Sequence, residues 1–333
     1  MFYVMCQKLT NGFIENGHSV FTYDDRLFAR LSSPLRSRAF GAARMNKQFL
    51  LCCKNFRPDM IVLNFADLIE LSALEAARKM LPDMKVVNIF IDPLDSTRNQ
   101  TRLIEYGRHC DASFITTAGQ AQAEMATKVK NLYFIPNAVD KRVENLRVFD
   151  QTDQPHDIFY SVGSVRGAPD RVTQAIELSR WIPEARCSFY GFGGIAPIWG
   201  NDYFKAIAAA RIGLNFSRQK DYYLYSSDRM AHYMGNGLLT VFDASNGFQD
   251  LLSDEEAVFF SEISELADKI KFFLQNDQAR QRVAKAGYQK IHAQHNAQTV
   301  TRYIVERAFD KPLSQTYDWP THIPEVSTAK LQA

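Results

Sequence analysis

A polar and glycine-rich segment at residues 222–240 carries the clearest sign of chemistry in the sequence. Ser226, Ser227 and Asp228 are residue types that cap helices, so they predict a helix that begins near Arg229. Free backbone N–H groups and partial positive charge at a helix start attract phosphate. The guanidinium of Arg229 adds a planar cation that fits phosphate oxygens. Considered alone, the segment fits a capped surface helix whose arginine pairs with a carboxylate better, because capped helices are common. The rest of this half of the sequence favours a phosphate site.

Three other polar or glycine-containing stretches are candidates for the same ligand, because each lies at the end of a predicted strand. Glycine lets a backbone approach a ligand closely, and tyrosine beside glycine can form a slot for a nucleotide base. A plain tight turn explains the tyrosine-containing stretch nearly as well. The candidate residues are Gly163, Ser164, Tyr190, Gly191, Gly193 and the polar strand end at 215–218.

Carboxylates after another predicted strand are the candidates for acid–base chemistry. Asp92 and Asp95 follow the strand Lys85–Ile91, where a carboxylate could take the proton from an attacking hydroxyl. Pro93 between them suits an ordinary turn, and that structural interpretation ranks first. His18 is a second candidate base, although a Gly–His pair also fits the end of the first helix.

The composition is that of an ordinary globular protein. A chain of 333 residues with 46% hydrophobic residues is long enough for two domains with separate cores. The 39 Lys and Arg residues nearly balance the 37 Asp and Glu residues, so the net charge of +2 gives no reason to expect nucleic acid as a partner. Five scattered cysteines favour reduced thiols and a cytoplasmic location. Neither a signal peptide nor a membrane span is expected.

Short β-rich runs alternate with amphipathic helical stretches such as Glu70–Leu81, a pattern typical of parallel sheets with crossover helices. The strands predicted in the first half are Ser19–Tyr23, Met60–Asn64, Lys85–Ile91, Ala112–Thr116 and Leu132–Ile135. Those predicted in the second half are Ile158–Val162, Arg186–Tyr190, Ile212–Phe216, Leu238–Phe242 and Ala257–Phe260. Helices are predicted to begin at Pro169, Asp202 and Asp228, and three more close the chain at Ile263–Leu274, Gln278–His292 and Gln298–Phe309.

A polar stretch at 150–155 divides the sequence into two α/β domains, each a doubly wound, Rossmann-like sheet, that face each other across a cleft. We predict an N-terminal, acceptor-side domain at 1–150, a C-terminal domain at 151–310 and a tail at 311–333, with the last helix packing back on the N-terminal domain. A helix at Phe2–Asn16 precedes the first predicted strand. Since a doubly wound domain normally opens with a strand, we hypothesise that the first strand is missing or supplied differently.

The motifs from Asp157 to about Arg307 resemble the C-terminal domain of group 1 glycosyltransferases with the GT-B fold, and are closest to the spore-maturation branch. In that branch a helix of the form Arg-x-x-Glu-x-x-Ala-x-Gly precedes an apolar strand. The matching positions here are Arg229, His232, Gly235 and Gly237. The first half resembles the family more loosely, around Asn11, Gly17, Arg57, Thr116, Thr117, Gly119 and Asn137.

The resemblance implies a nucleotide-sugar donor held by the C-terminal domain, with no metal and no permanently bound cofactor. It places Arg166 near the diphosphate, where a solvated loop is an equally good interpretation. The family has glutamate at the position of His232, and that glutamate holds the ribose. Histidine can do so through either ring nitrogen, although a helix-face histidine satisfied by a neighbour is nearly as good an interpretation. Further candidates are Asn236 in the donor site and, along the acceptor-side cleft, Asn11, Thr116, Thr117, Gly119 and Asn137.

The function implied is transfer of a sugar from a nucleotide-sugar to a glycan or lipid-linked acceptor. Relatives most often serve polysaccharide or lipopolysaccharide assembly, which fits a cytoplasmic protein with peripheral contact to the inner face of the membrane. A non-catalytic nucleotide-sugar-binding module of the same fold is the alternative. An epimerase or a phosphorylase would share the architecture, and no motif for a pyridoxal-bearing lysine stands out.

Overall fold

The computed structural model describes residues 5–165, 169–218, 220–225 and 227–323. The first half forms a parallel sheet in the strand order β1-β2-β3-β4, with Val62 opposite Val87 and Ile89 opposite Phe114. These four strands lie where the apolar runs predicted them, with ends that differ by one residue at most. Their bounds are β1 (Met60–Asn64), β2 (Lys85–Phe90), β3 (Ala112–Ile115) and β4 (Leu132–Phe134).

Helices precede and connect these strands. Their bounds are α1 (Met5–Glu15), α2 (Asp25–Leu31), α3 (Arg38–Phe56), α4 (Leu71–Met80), α5 (Thr97–Gly107) and α6 (Gly119–Ala126). The predicted strand Ser19–Tyr23 is wrong, since this segment pairs with no strand and links α1 directly to α2. Its apolar side chains Val20 and Phe21 are exposed, so the apolar side of this segment does not pack against the core.

The second half forms a five-stranded parallel sheet in the order β6-β5-β7-β8-β9. Its strands are β5 (His156–Ser161), β6 (Cys187–Tyr190), β7 (Ala210–Leu214), β8 (Leu239–Asp243) and β9 (Val258–Phe260). Its helices are α7 (Asp170–Trp181), α8 (Gly200–Ala208), α9 (Asp228–Gly235), α10 (Ile263–Gln275), α11 (Asp277–Gln294) and α12 (Ala297–Ala308). The order reverses at β5, which has β6 on one side and β7 on the other. Such a reversal opens a crevice beyond the carboxyl ends of the strands.

The last helix belongs to the second half in sequence but packs on the first half. Helix α12 lies along α1 and contacts β2 and β3. A side chain at Gly12 would overlap the carbonyl of Ala297, so the two helices approach backbone to backbone there. Residues 311–323 have no helix or strand, yet Tyr317 and Trp319 are buried against Tyr303. This part of the predicted tail therefore belongs to the core. No helix within the described ranges is long and apolar enough to cross a membrane.

Candidate functional site

A small cleft lies beyond the carboxyl ends of the strands, near the point where the strand order of the second sheet reverses. Asn215 and Arg218 follow β7, whereas Ser227 and Arg229 begin α9, and all four line this cleft. Arg171, from the first turn of α7 after β5, completes the basic side of the wall. Two loops and two helix starts therefore meet at one place, as ligand sites of open α/β sheets require.

Arg229 is held in position by the protein itself. Its Nη1 donates a hydrogen bond of 2.9 Å to the backbone oxygen of Phe216, and its guanidinium lies 5.1 Å from the ring centre of Tyr160. A cation over an aromatic face is attracted by the electron density of the ring. The guanidinium is thus fixed before any ligand arrives, so binding would cost little side-chain entropy.

Arg171 is a second cation at this site, and sequence reasoning missed it. It is only 8% exposed, and its Nη2 donates a 2.6 Å hydrogen bond to the backbone oxygen of Ser164. Burial lowers the pKa of Arg171, and the positive charge of Arg229 lowers it further. In the described part of the chain neither arginine forms an ion pair with a carboxylate. Asp243 is the one carboxylate among the described residues that line the cleft, against the cations Arg171, Arg218 and Arg229, so the cleft has an excess of positive charge that a polyanion would neutralise.

The start of α9 lies beside these two cations. Ser227 has the extended backbone of a helix cap, and its side chain makes no capping hydrogen bond. Asp228 contributes to the raised pKa of Cys6, about 11, which is caused mainly by burial. The carboxylate of Asp228 is therefore near α1. Ser226 lies outside the described residues.

The end of α9 does not line the cleft, so the structure does not place the rest of the motif with Arg229. His232 is 1% exposed, and its Nδ1 lies 2.9 Å from Oε1 of Glu144. Asn236 is fully buried, and its Oδ1 accepts hydrogen bonds from the backbone N–H groups of Asn145 and Leu146. Side chains at Gly235 and Gly237 would strike Glu144 and Phe149, respectively. These four residues join the two halves of the chain.

The loops after β5 and β6 approach each other closely. A side chain at Gly163 would lie 2.7 Å from the ring of Trp199. A side chain at Gly191, whose φ is +88°, would overlap the backbone carbonyl of Val162. Gly193 faces open space, whereas the ring of Tyr190 packs on Phe159. Ser164 receives the hydrogen bond from Arg171, and Arg166 lies outside the described residues. The predicted base slot stays a prediction.

Asp92 and Asp95 lie at the carboxyl end of β2, on the side of the first domain that meets the cleft. Burial raises the pKa of Asp92, while Arg102 and Arg218 act to lower it. Asp95 acts on the pKa of Tyr225, a residue of the cleft wall. Both carboxylates are therefore close to the cleft from the opposite domain.

His18 and the acceptor-side candidates have mainly structural contacts. Backbone hydrogen bonds from Gly17 to Ile14 and from His18 to Phe13 end α1 in the pattern of a helix cap, so the capping interpretation holds. Asn11 donates to Asp140, Thr116 and Thr117 are 1% exposed, and Asn137 is 4% exposed. A side chain at Gly119 would lie 3.0 Å from Tyr223 of the other domain.

A second depression lies on the first domain, where sequence reasoning named no site. Asp67, Asn88 and Arg102 line it, beyond the carboxyl ends of β1 and β2. The Nδ2 of Asn88 is buried without a hydrogen-bond partner in the structure. Arg102 binds the carboxylate of Asp67 and lies 3.4 Å from that of Asp92, so this depression adjoins the candidate base. No trio of potential metal ligands clusters within the described ranges.

Residues 167–306 match the family model described as "Glycosyl transferase-like". No curated protein matches the sequence significantly. Among solved structures, an alpha-glucosyltransferase in complex with UDP-glucose and DNA containing an abasic site is similar, with a TM-score of 0.65 and 13% identity over 92% of this chain and 95% of that one. HepE of Anabaena in complex with UDP-glucose has a TM-score of 0.53 and 15% identity, over 84% of each chain.

TarM is similar as well, with a TM-score of 0.54 and 12% identity over 79% of this chain. The matched part of this chain spans 58% of the length of TarM. At sequence identities this low, the similarity to these structures shows the fold alone. Membership of the spore-maturation branch of glycosyltransferases stays a prediction. Two parallel α/β sheets with a cleft at the strand reversal confirm the predicted fold class: the chain has the GT-B fold.

Proposed function

We propose that this protein is a glycosyltransferase that takes a sugar from a nucleotide-sugar donor. The observation that carries the proposal is the pair Arg171 and Arg229, two cations on one cleft wall with no carboxylate partner in the described part of the chain. A diphosphate supplies the missing negative charge, and arginine binds it through two parallel hydrogen bonds. The "Glycosyl transferase-like" match and the UDP-glucose held by two proteins of the same fold support this choice.

In the proposed reaction the bond between the sugar and the diphosphate breaks, and its electron pair leaves with the nucleoside diphosphate. Arg171, Arg229 and the N–H groups at the start of α9 would stabilise the charge that develops on the leaving oxygen. A hydroxyl of the acceptor forms the new bond to the sugar and loses its proton. Asp92, which approaches from the first domain, is the residue we assign to take that proton.

The acceptor we propose is a glycan or a lipid-linked sugar, in the assembly of a cell-surface polysaccharide or lipopolysaccharide. The depression at Asp67 and Arg102, next to Asp92, offers carboxylate and guanidinium groups that suit sugar hydroxyls. A cytoplasmic location and independence of metal and of nucleic acid stay predictions of the sequence.

A thermal-shift screen of nucleotide-sugars tests the proposal, with UDP-glucose first and CMP-linked donors included because histidine replaces glutamate at position 232. A donor at 100 times its dissociation constant should stabilise the protein by about 2.7 kcal/mol. If no nucleotide-sugar raises the melting temperature, the proposal is wrong. A shift without transfer or hydrolysis of the donor would instead support a non-catalytic binding module.

Replacing Asp92 with asparagine should lower the rate of transfer about 1,000-fold, the usual range for loss of a general base. Because burial raises the pKa of Asp92, the wild-type rate should fall in acid at a higher pH than an ordinary aspartate would give. The measurement is a pH profile of kcat for both proteins, with the donor-induced thermal shift as the test of an intact site. If Asp95→Asn lowers kcat about 1,000-fold and Asp92→Asn leaves kcat unchanged, the proton transfer is assigned to Asp95 instead.

A further inference from the structure

Helices α2 and α3 carry an unusual number of large apolar side chains on the surface. Leu35 and Phe40, where α2 passes into α3, are 77% and 76% exposed. Phe21 and Phe56 pair with each other at 5.8 Å while both remain exposed. Several large apolar side chains exposed on one region of a protein indicate contact with a partner or a membrane. The exposed large apolar residues of this region are Val20, Phe21, Leu27, Leu31, Leu35, Phe40, Leu51 and Phe56.

Helix α3 combines apolar residues and cations in one line along its outer face. Phe40, Arg44, Lys47, Leu51 and Lys54 follow each other at steps of four and three residues, which places them on the same side of a helix. All five are exposed. The opposite side of α3 contributes its apolar residues to the core. The outer line therefore exposes two large apolar side chains and three positive charges.

The charge of this region differs sharply from that of the whole protein. The 32 residues from Arg26 to Arg57 include eight Lys and Arg residues and no Asp or Glu. The near-neutral total therefore hides a local excess of positive charge on α2, α3 and the turn between them. Exposed apolar side chains among exposed cations are the pattern of a surface that lies on anionic lipid headgroups and inserts into the acyl boundary.

The same region adjoins the candidate acceptor side of the cleft. Asp25 accepts a 2.9 Å hydrogen bond from the backbone of Leu68, and Arg26 binds the carboxylate of Asp67. Asp67 in turn binds Arg102, which lies beside Asp92. The start of α2 is thus fixed to the edge of the depression that adjoins the candidate base, Asp92.

We propose that the outer face of α2 and α3 docks on an anionic lipid bilayer, with Leu35 and Phe40 inserted and Arg44, Lys47 and Lys54 at the headgroups. A second copy of the chain does not fit, because two such faces would bring like charges together, and among the described residues only Arg26 of the eight cations has a carboxylate partner. Nucleic acid would use the cations but leaves the large apolar side chains exposed. Docking places the edge of the acceptor-side depression near the membrane surface.

Vesicle co-sedimentation of the full chain tests this without any sugar donor, so its outcome is independent of the proposed transfer. The protein should bind vesicles of phosphatidylcholine with 30% phosphatidylglycerol, and bind pure phosphatidylcholine much more weakly. Replacing Arg44, Lys47 and Lys54 together by glutamine should lower the partition coefficient on the order of a hundredfold, since each cation near such a surface contributes about fivefold. Phe40→Asp should lower it by about tenfold or more.

Matched control variants on the other domain remove three positive charges, as the triple variant of α3 does, or replace one exposed phenylalanine, as Phe40→Asp does. Arg180, Arg282 and Lys285 replaced together by glutamine, and Phe272→Asp, alter exposed residues far from α3 in sequence and should bind vesicles like the wild type. Equal vesicle binding by the triple variant of α3 and the wild type would overturn the proposal. So would a wild-type dimer in sedimentation velocity that Phe40→Asp separates, or tighter binding to duplex DNA than to vesicles.

Discussion

Replacing Arg171 with glutamine should weaken donor binding about a hundredfold and leave the free protein at least as stable as before. The bound diphosphate would lose a buried cation, and truncation of one partner in such a pair costs about 3 kcal/mol. In the free protein the change loses the hydrogen bond to Ser164, but it also removes the burial cost of the charge and its repulsion with Arg229, both of which lower the pKa of Arg171. Opposite effects on binding and on stability distinguish a ligand-binding arginine from a structural one, whose loss would destabilise the free protein.

Isothermal titration with UDP-glucose measures the first effect, and the melting temperature of the free protein measures the second. Arg180→Gln on the same helix is the matched control, because Arg180 is exposed near the other end of α7 and should affect neither quantity. Arg229→Gln should lose donor binding to a similar extent. It should also destabilise the free protein, since the hydrogen bond to Phe216 and the stacking on Tyr160 are lost. Unchanged UDP-glucose affinity in Arg171→Gln would contradict the assignment.

The strands of both sheets could be predicted because their signal is local. The runs at β2 and β8 are apolar over several residues, as strands buried in a parallel sheet must be, and polar or turn residues bound them. Ser19–Tyr23 shows the same local character, yet it lacks a neighbouring strand and stays exposed. Whether a run pairs depends on the rest of the chain, and that information is not in the five residues themselves.

Some residues of the candidate site could likewise be predicted from the neighbouring sequence, whereas others depend on distant parts of the chain. Ser227 and Arg229 follow from helix-capping preferences, and the structure places both on the cleft wall. Arg171 lies at a helix start with the same features, after Pro169, but its meeting with Arg229 depends on the order of β5 and β7. The environment of His232 could not be predicted, since its partner Glu144 lies 88 residues earlier in the chain.

A buried charge network includes His232, whose contact with a ribose stays a prediction. Lys8 of α1 lies 2.5 Å from Oε1 of Glu144, and neither side chain has any exposed surface. Glu144 also accepts a 2.8 Å hydrogen bond from the backbone of Asp140, and Lys8 donates one of 3.1 Å to the carbonyl of Ala138. The network therefore ties α1 of the first domain to α9, whose start carries Arg229.

Replacing Lys8 with methionine should accordingly lower the free energy of unfolding by about 4 kcal/mol, because it leaves a buried carboxylate without its cation. Burial disfavours the charged form of Glu144, but Lys8 and His232 outweigh it and hold its pKa below the usual value. The wild-type contribution is thus present above the ordinary glutamate pKa and is lost as pH falls through the lower value of the folded state.

Urea unfolding of Lys8→Met at pH 7 measures the loss, and Lys141→Met is the matched control. Lys141 is 75% exposed in its ion pair with Glu15, so its replacement should cost less than about 1 kcal/mol. The double variant Lys8→Met with Glu144→Gln should regain a large part of the loss, since it removes the unpaired charge as well. A loss below about 1 kcal/mol in Lys8→Met, or no recovery in the double variant, would show that the pair does not join the domains. If the pair does join them, the weakened protein should also bind UDP-glucose less tightly, because the position of α9 depends on it.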